Sequence, residues 1–217
     1  MSLPKPYYEN ELGRLYHADC LDILPHLEPV DLVLTDPPFG IGIEYGKFID
    51  TKENVESLIN SILPFLKNKS KIVLISCGIL SLWLYPVPDW VLMHFNPGAE
   101  SSGKWGFATW MPILVYGKCP YLSAGKGRKP DGFSMRPQTV KKLEHPCPKN
   151  IGPWMWLINR ATTCNLKIVL DPFLGSGTTA VACERLKRRW IGIEIEEKYC
   201  AIAVKRIEAE RRQLKLF

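Results

Sequence analysis

KIVLDPFLGSGTTAVACERLKRRWIGIEIEEKYC, from Lys167 to Cys200, decides how this chain folds. Lys167 to Leu170 is a short apolar run that reads as a buried strand. Gly175-Ser176-Gly177 is a tight turn, and from Thr178 the pattern is helical, so the helix N-terminus points its unpaired N–H groups back at the turn. Trp190 to Ile193 is the next strand. It ends at Glu194, nineteen residues after Gly175, where an acid is placed to accept from both hydroxyls of a ribose. The glycine turn alone says little. Strand, turn, helix, strand and acid in that order mark a nucleotide-binding unit of a mostly parallel α/β sheet.

A second stretch, VDLVLTDPPFG from Val30 to Gly40, is an apolar strand that ends on acid, two prolines and an aromatic. Pro37 and Pro38 cannot continue a strand ladder, so the chain leaves the sheet at Asp36 on a stiff corner with carbonyls left to accept hydrogen bonds. A carboxylate, free carbonyls and the flat ring of Phe39 suit a planar group carrying an amine. The alternative is that Asp36 caps a turn and the prolines end a strand.

Outward from these two stretches, Gly13 to His17 is a short strand leading to Asp19, a residue placed to cap the helix marked by Leu21, Leu24 and Leu27. Gly40 to Lys52 is a glycine-bearing loop, read as a mobile cover for a site that admits a bulky base, or as a plain connector. Glu53 to Leu66 is an amphipathic helix with Val55, Leu58, Ile59, Ile62 and Leu66 on one face, Lys71 to Ser76 a buried strand, and Ile79 to Tyr85 a short helix. Trp90 to Phe95 and Met111 to Tyr116 read as strands. Between them, Lys104 and Trp105 pair a cation with an aromatic, either for stacking on bases or for packing. Lys118 to Lys142 is the most polar and basic stretch and has no apolar period, which predicts a surface loop or a segment that orders on DNA. Pro153 opens a helix with Trp154, Leu157, Ile158 and Ala161 on its apolar side. In total, seven strands interleaved with helices predict one α/β domain over 1–217, with a short basic insertion at about 118–142.

The 217 residues, 46% hydrophobic, are enough for one core, and the net charge of +6 suits a polyanionic partner. The basic tail RIEAERRQLKLF reads first as the solvated face of a terminal helix and second as a DNA contact. No run approaches a membrane span and the start carries no apolar signal region, so the expectation is a cytosolic protein. Seven cysteines without a CxxC pair point to neither zinc nor a disulfide framework, and no metal site is expected; they read as small buried hydrophobes.

DPPF at 36–39 resembles the catalytic motif of S-adenosylmethionine-dependent amino DNA methyltransferases, and DPFLGSGTT at 171–179 resembles their cofactor loop. Here the catalytic motif comes first, the permuted order of the β group, and HADCLDIL at 17–24 and HPCPKN at 145–150 are similar to further motifs of that group. HPCPKN departs from the usual pattern, with Pro in place of Gln before the Lys. The resemblance implies a three-layer, Rossmann-like methyltransferase fold of seven strands, with the strand after Gly106 antiparallel. It assigns Asp36, Pro37, Pro38 and Phe39 to catalysis. To the cofactor it assigns Asp19, Cys20, Asp36, His145, Lys149, Asp171, Phe173, Gly175, Ser176, Gly177, Thr178 and Glu194. The activity implied is methylation of a flipped base in double-stranded DNA at N6 of adenine, since cytosine-N4 enzymes more often carry Ser at the position of Asp36. The target-recognition region of that group lies where 118–142 lies here, and its shortness leaves room for a homodimer or for a specificity or restriction-endonuclease partner. Rival readings are cytosine N4, a non-catalytic DNA-binding subunit of the same fold, and a nicotinamide-dinucleotide enzyme, because Gly175, Gly177 and Ala180 satisfy GxGxxA spacing.

Overall fold

The computed structural model describes residues 3–46, 48–96, 101–135, 150–163 and 167–214, with the backbone alone for 101–103. β1 (Tyr8–Glu9) folds back on β2 (Gly13–His17), which leads into α1 (Cys20–Ile23) and then β3 (Leu32–Thr35). A hairpin of β4 (Glu44–Tyr45) and β5 (Phe48–Ile49) precedes α2 (Lys52–Lys69) and β6 (Ile72–Ser76). β7 (Trp90–Phe95) and β10 (Trp110–Gly117) flank a second hairpin, β8 (Ser101–Gly103) with β9 (Gly106–Ala108). After α3 (Pro120–Ser123) and β11 (Gly132–Ser134) come α4 (Ile151–Ala161), β12 (Ile168–Asp171), α5 (Thr178–Leu186), β13 (Arg189–Glu194) and α6 (Glu197–Leu214).

The main sheet runs β1-β2-β13-β12-β3-β6-β10-β7-β11. β2, β13, β12, β3 and β6 are mutually parallel, and β10 runs against both its neighbours, β6 and β7. Those are the seven expected strands, with the antiparallel one where it was expected. The short edge strands β1 and β11 widen the sheet to nine. Side chains alternate between two cores: Leu32 and Leu34 of β3 pack toward α4, α5 and α6, while Val33 packs toward α1 and α2. Helices on both faces make three layers. Among the described residues no helix is long and apolar enough to cross a membrane.

Several local readings are corrected. The helix after Asp19 is four residues long and passes into a 3-10 turn, Leu24–His26, at Pro25; its inward side chains are Cys20, Ile23 and Leu24, and Leu21 is exposed. Ile79–Leu84 is a 3-10 helix. The loop after Gly40 forms the β4–β5 hairpin, held by the buried carboxylate of Asp50, which accepts from the amides of Gly40 (2.6 Å), Ile41 (3.1 Å) and Ile43 (3.0 Å). α4 starts at Ile151, ahead of Pro153, because Asn150 caps it by accepting from the Gly152 amide at 3.0 Å. The basic insertion is not wholly loop: β11 pairs in parallel with β7, on a three-residue signal in which only Phe133 is apolar. Cys119 is half-buried and accepts from Arg160 Nη1 at 3.2 Å, so it is not a simple core hydrophobe. The terminal helix is more than a solvated tail, since Tyr199, Cys200, Ala203, Ile207 and Glu210 are buried.

Candidate active site

The parallel strands deliver their carboxyl ends to one edge, and register brings acids together there: Glu194 pairs with His17, two residues before Asp19, and Asp171 pairs with Gly192. Asp36 leaves β3 at the same edge, since β3 lies between β12 and β6. One cleft, partly open to solvent, is lined by Asp19 and Cys20, by Asp36 and Pro38, by Asp171 through Ser176 with Thr178, and by Glu194 through Glu196. The corner at Asp36 and the glycine turn, separated by about 140 residues, therefore share one crevice.

The glycine loop is built by backbone that only glycine adopts easily. Gly175 and Gly177 have φ of 54° and 84°, and a Cβ on Gly177 would stand 2.8 Å from the Cβ of Ala203 on α6. From behind, Arg206 Nη1 donates to the Ser176 carbonyl (2.6 Å), to Ser176 Oγ (2.8 Å) and to Thr178 Oγ1 (3.2 Å). Burial lowers the Arg206 pKa from its usual value. Glu194 accepts from the Gly175 amide (2.7 Å) on one oxygen and from the Glu196 amide (2.9 Å) on the other. Burial raises its pKa, against the pull of those amides. Asp19 caps α1, accepting from the Leu21 amide at 2.9 Å, and faces the cleft as well, so its two expected places coexist.

Asp171 has a different environment. One of its oxygens accepts from Thr35 Oγ1 (2.7 Å) and the Phe173 amide (3.1 Å), the other from Thr179 Oγ1, which in turn accepts from Trp154 Nε1 (2.8 Å). This chain of side chains ties β3, β12, α5 and α4 together beneath the cleft. Burial drives the Asp171 pKa up to about 6, with the charge of Asp36 pushing the same way and the three donors opposing. At the corner itself, Asp36 and Pro38 face the cleft while Pro37 is buried. Phe39 lies against Gly78, where a Cβ would stand 3.4 Å from its ring, and its carbonyl accepts from Ser81 Oγ. His145 and Lys149 lie outside the described residues.

Sequence reading missed the walls of the cleft. Tyr45 and Phe48 come from the β4–β5 hairpin, Leu58 from α2, Trp154 from α4, and Ile195, Glu196 and Tyr199 from the turn into α6. Trp154 and Leu58 had been read as core-facing, and nothing in a helical period distinguishes a core from a cleft wall. Among the described lining residues there are five carboxylates, Asp19, Asp36, Asp171, Glu194 and Glu196, and no Lys, Arg or His.

A family model described as DNA methylase (N6_N4_Mtase) matches residues 83–205, more than half of the chain. The chain belongs to this DNA methylase family. Among curated methylases, it is 25% identical over 266 residues to the type II methyltransferase M.BamHI of Bacillus amyloliquefaciens, an alignment covering 98% of this chain and 61% of that protein. This methylase chain therefore spans a little under two thirds of that relative's length. Among solved structures, the PvuII DNA methyltransferase (cytosine-N4-specific) matches with a TM-score of 0.74 at 19% identity, covering 93% of this chain and 88% of that one. The M1.HpyAVI-SAM complex matches with a TM-score of 0.67 at 24% identity, covering 90% and 99%. Both likenesses bear on the fold, which is the methyltransferase fold expected.

Proposed function

We propose that the chain transfers a methyl group from S-adenosylmethionine to the exocyclic amine of a base extruded from double-stranded DNA, at N6 of adenine. The observation that carries this is the electrostatic character of the cleft: five lining carboxylates and no lining cation among the described residues. A ligand with a sulfonium and an ammonium group is drawn to such a site, whereas the diphosphate of a nicotinamide dinucleotide is repelled. That a fold neighbour is titled as a complex with SAM supports the same reading.

S-adenosylmethionine, when bound, supplies an electrophilic methyl group on sulfur. The carboxylate of Glu194 suits two ribose hydroxyls, and Asp19 suits the adenine amino group, with Cys20 and Phe173 as apolar neighbours of that ring. Gly175, Ser176, Gly177 and Thr178 hold the backbone close enough for the amino-acid tail. Asp36 and the Pro37 carbonyl would accept the two hydrogens of the target amine, whose lone pair is otherwise delocalised into the base. That would raise electron density on nitrogen and aim it at the methyl group. The Asp36 carboxylate would take the proton that nitrogen sheds on methylation, with sulfur keeping the electron pair of its broken bond to the methyl group. Phe39 stacks on the base. The base must leave the duplex because its amine is paired and shielded there.

Calorimetry with S-adenosylmethionine and with NAD tests the cofactor. Binding of the first alone is expected, and binding of NAD alone would overturn the proposal. Digestion of methylated plasmid to nucleosides, followed by mass spectrometry, is expected to give N6-methyladenine. The second reading, N4 of cytosine, is favoured by the specificity named for the PvuII neighbour and predicts N4-methylcytosine instead.

A further inference from the structure

Two elements grow from the same sheet edge as the Asp36 corner and carry large apolar side chains in solvent. The 3-10 helix Ile79–Leu84 follows β6, the strand next to β3, and touches the corner through Gly78 and Ser81; its Trp83 is 84% exposed. The β8–β9 hairpin rises between β7 and β10, with its neck closed by the Asn96 amide donating to the Thr109 carbonyl at 2.8 Å. Lys104 and Trp105 form its turn, enabled by Gly106 at φ 113°. Trp105 is wholly exposed and Phe107 is 77% exposed. Exposed tryptophans of this kind mark a binding surface.

What covers them follows from where they stand. β10 is two strands from β3, roughly 10 Å at ordinary strand spacing, so a duplex that presents a base to Asp36 must pass over the hairpin. Extruding that base leaves a gap in the stack and costs the stacking on both its faces. An exposed aromatic side chain on a narrow hairpin is shaped to enter such a gap, and the adjoining Lys104 suits the flanking phosphate.

We infer that the hairpin is a duplex wedge: Trp105 enters the base stack at the place the target nucleotide leaves, with Phe107 packing behind it and Trp83 bounding the corner side. This rests on the methyl-transfer reading. The test first maps the methylated site by modification-sensitive sequencing of unmethylated plasmid treated with the protein. No methylation at any position would remove that reading and the wedge with it. Oligonucleotide duplexes bearing the mapped site are then compared, one fully paired and one with the target base mismatched.

Trp105→Ala is expected to lower kcat/KM on the paired duplex by about tenfold or more, with cofactor affinity and thermal midpoint unchanged. On the mismatched duplex, where the base is already unpaired, it should come within about threefold of the unaltered protein. Trp105→Phe should recover most of the loss on paired DNA. Equal losses on both duplexes, or no loss on either, would overturn the wedge. So would conversion of a dimer to a monomer by Trp105→Ala in light scattering, since the hairpin would then belong to a second copy of the chain.

Discussion

Asp36 and Asp171 both open an acid-proline-aromatic run at a strand end, and burial gives them opposite tasks. Asp171 is buried with donors from Thr35, Thr179 and Phe173, so it holds elements together; Asp36 is half-buried and faces the cleft. Asp36→Ala is expected to abolish methylation while calorimetry still detects cofactor binding. The Asp171 carboxyl has a pKa of about 6 in the folded chain against 3.8 ordinarily, so the native state binds the proton more firmly than the unfolded chain does. Its contribution to stability is then fully present below about pH 4 and falls as pH rises toward about 6. The melting temperature of the unaltered protein minus that of Asp171→Asn should therefore narrow from about pH 4 to pH 6 and be flat above about pH 7. A difference that widens with pH would mean that the folded pKa is not raised. The four acids at strand ends were legible as residues. The split in their roles was not, because Thr35 and Trp154 are far from Asp171 in sequence.

At the scale of elements, two clamps shape the site from outside it. Asp50 gathers three amides from the segment that follows the Asp36 corner, and so sets where Tyr45 and Phe48 stand over the cleft. In Asp50→Ala, hydrogen-exchange protection at Gly40, Ile41 and Ile43 should fall by about tenfold or more, given the strength of hydrogen bonds to a charged group. Arg206 braces the glycine loop from α6, and Arg206→Ala is expected to weaken cofactor binding by about tenfold in calorimetry. Long periodic elements were readable directly: α2 and β6 follow the apolar pattern closely, whereas β7 buries Leu92 and His94 and exposes Trp90, Val91, Met93 and Phe95. The loop after Gly40 was not, since two-residue strands have too few side chains to show a period and their clamp, Asp50, is an ordinary polar residue until it is seen to be buried.

For the molecule as a whole, the segment after the first strand meets the last helix. Glu184 on α5 is buried and accepts from Asn10 Nδ2 (2.8 Å), Trp190 Nε1 (2.9 Å) and Arg211 Nη1 (3.1 Å), and Arg211 also pairs with Glu11. The first strand and the last helix are thus joined through one carboxylate. Glu184→Ala removes a buried acceptor shared by three donors, leaving Arg211 with Glu11 and Asn10 with Tyr8, and should cost about 3 kcal/mol in urea unfolding. Retention of full stability would show that the joint is not structural.

The sequence by itself determined the αβ order, the proline corner at Asp36, the glycine turn at 175–177 and the acids at strand ends. Those are consequences of local rules: apolar period, proline's missing N–H and the torsions that glycine tolerates. Only the tertiary structure decided that the corners share a crevice, that Asp171 ties neighbouring elements together beneath the cleft it lines, and that Trp105 stands in solvent while Trp154 lines a wall. Each of these depends on which surfaces other elements cover, and burial of a given side chain is a property of its neighbours across the sheet, which a linear pattern does not carry.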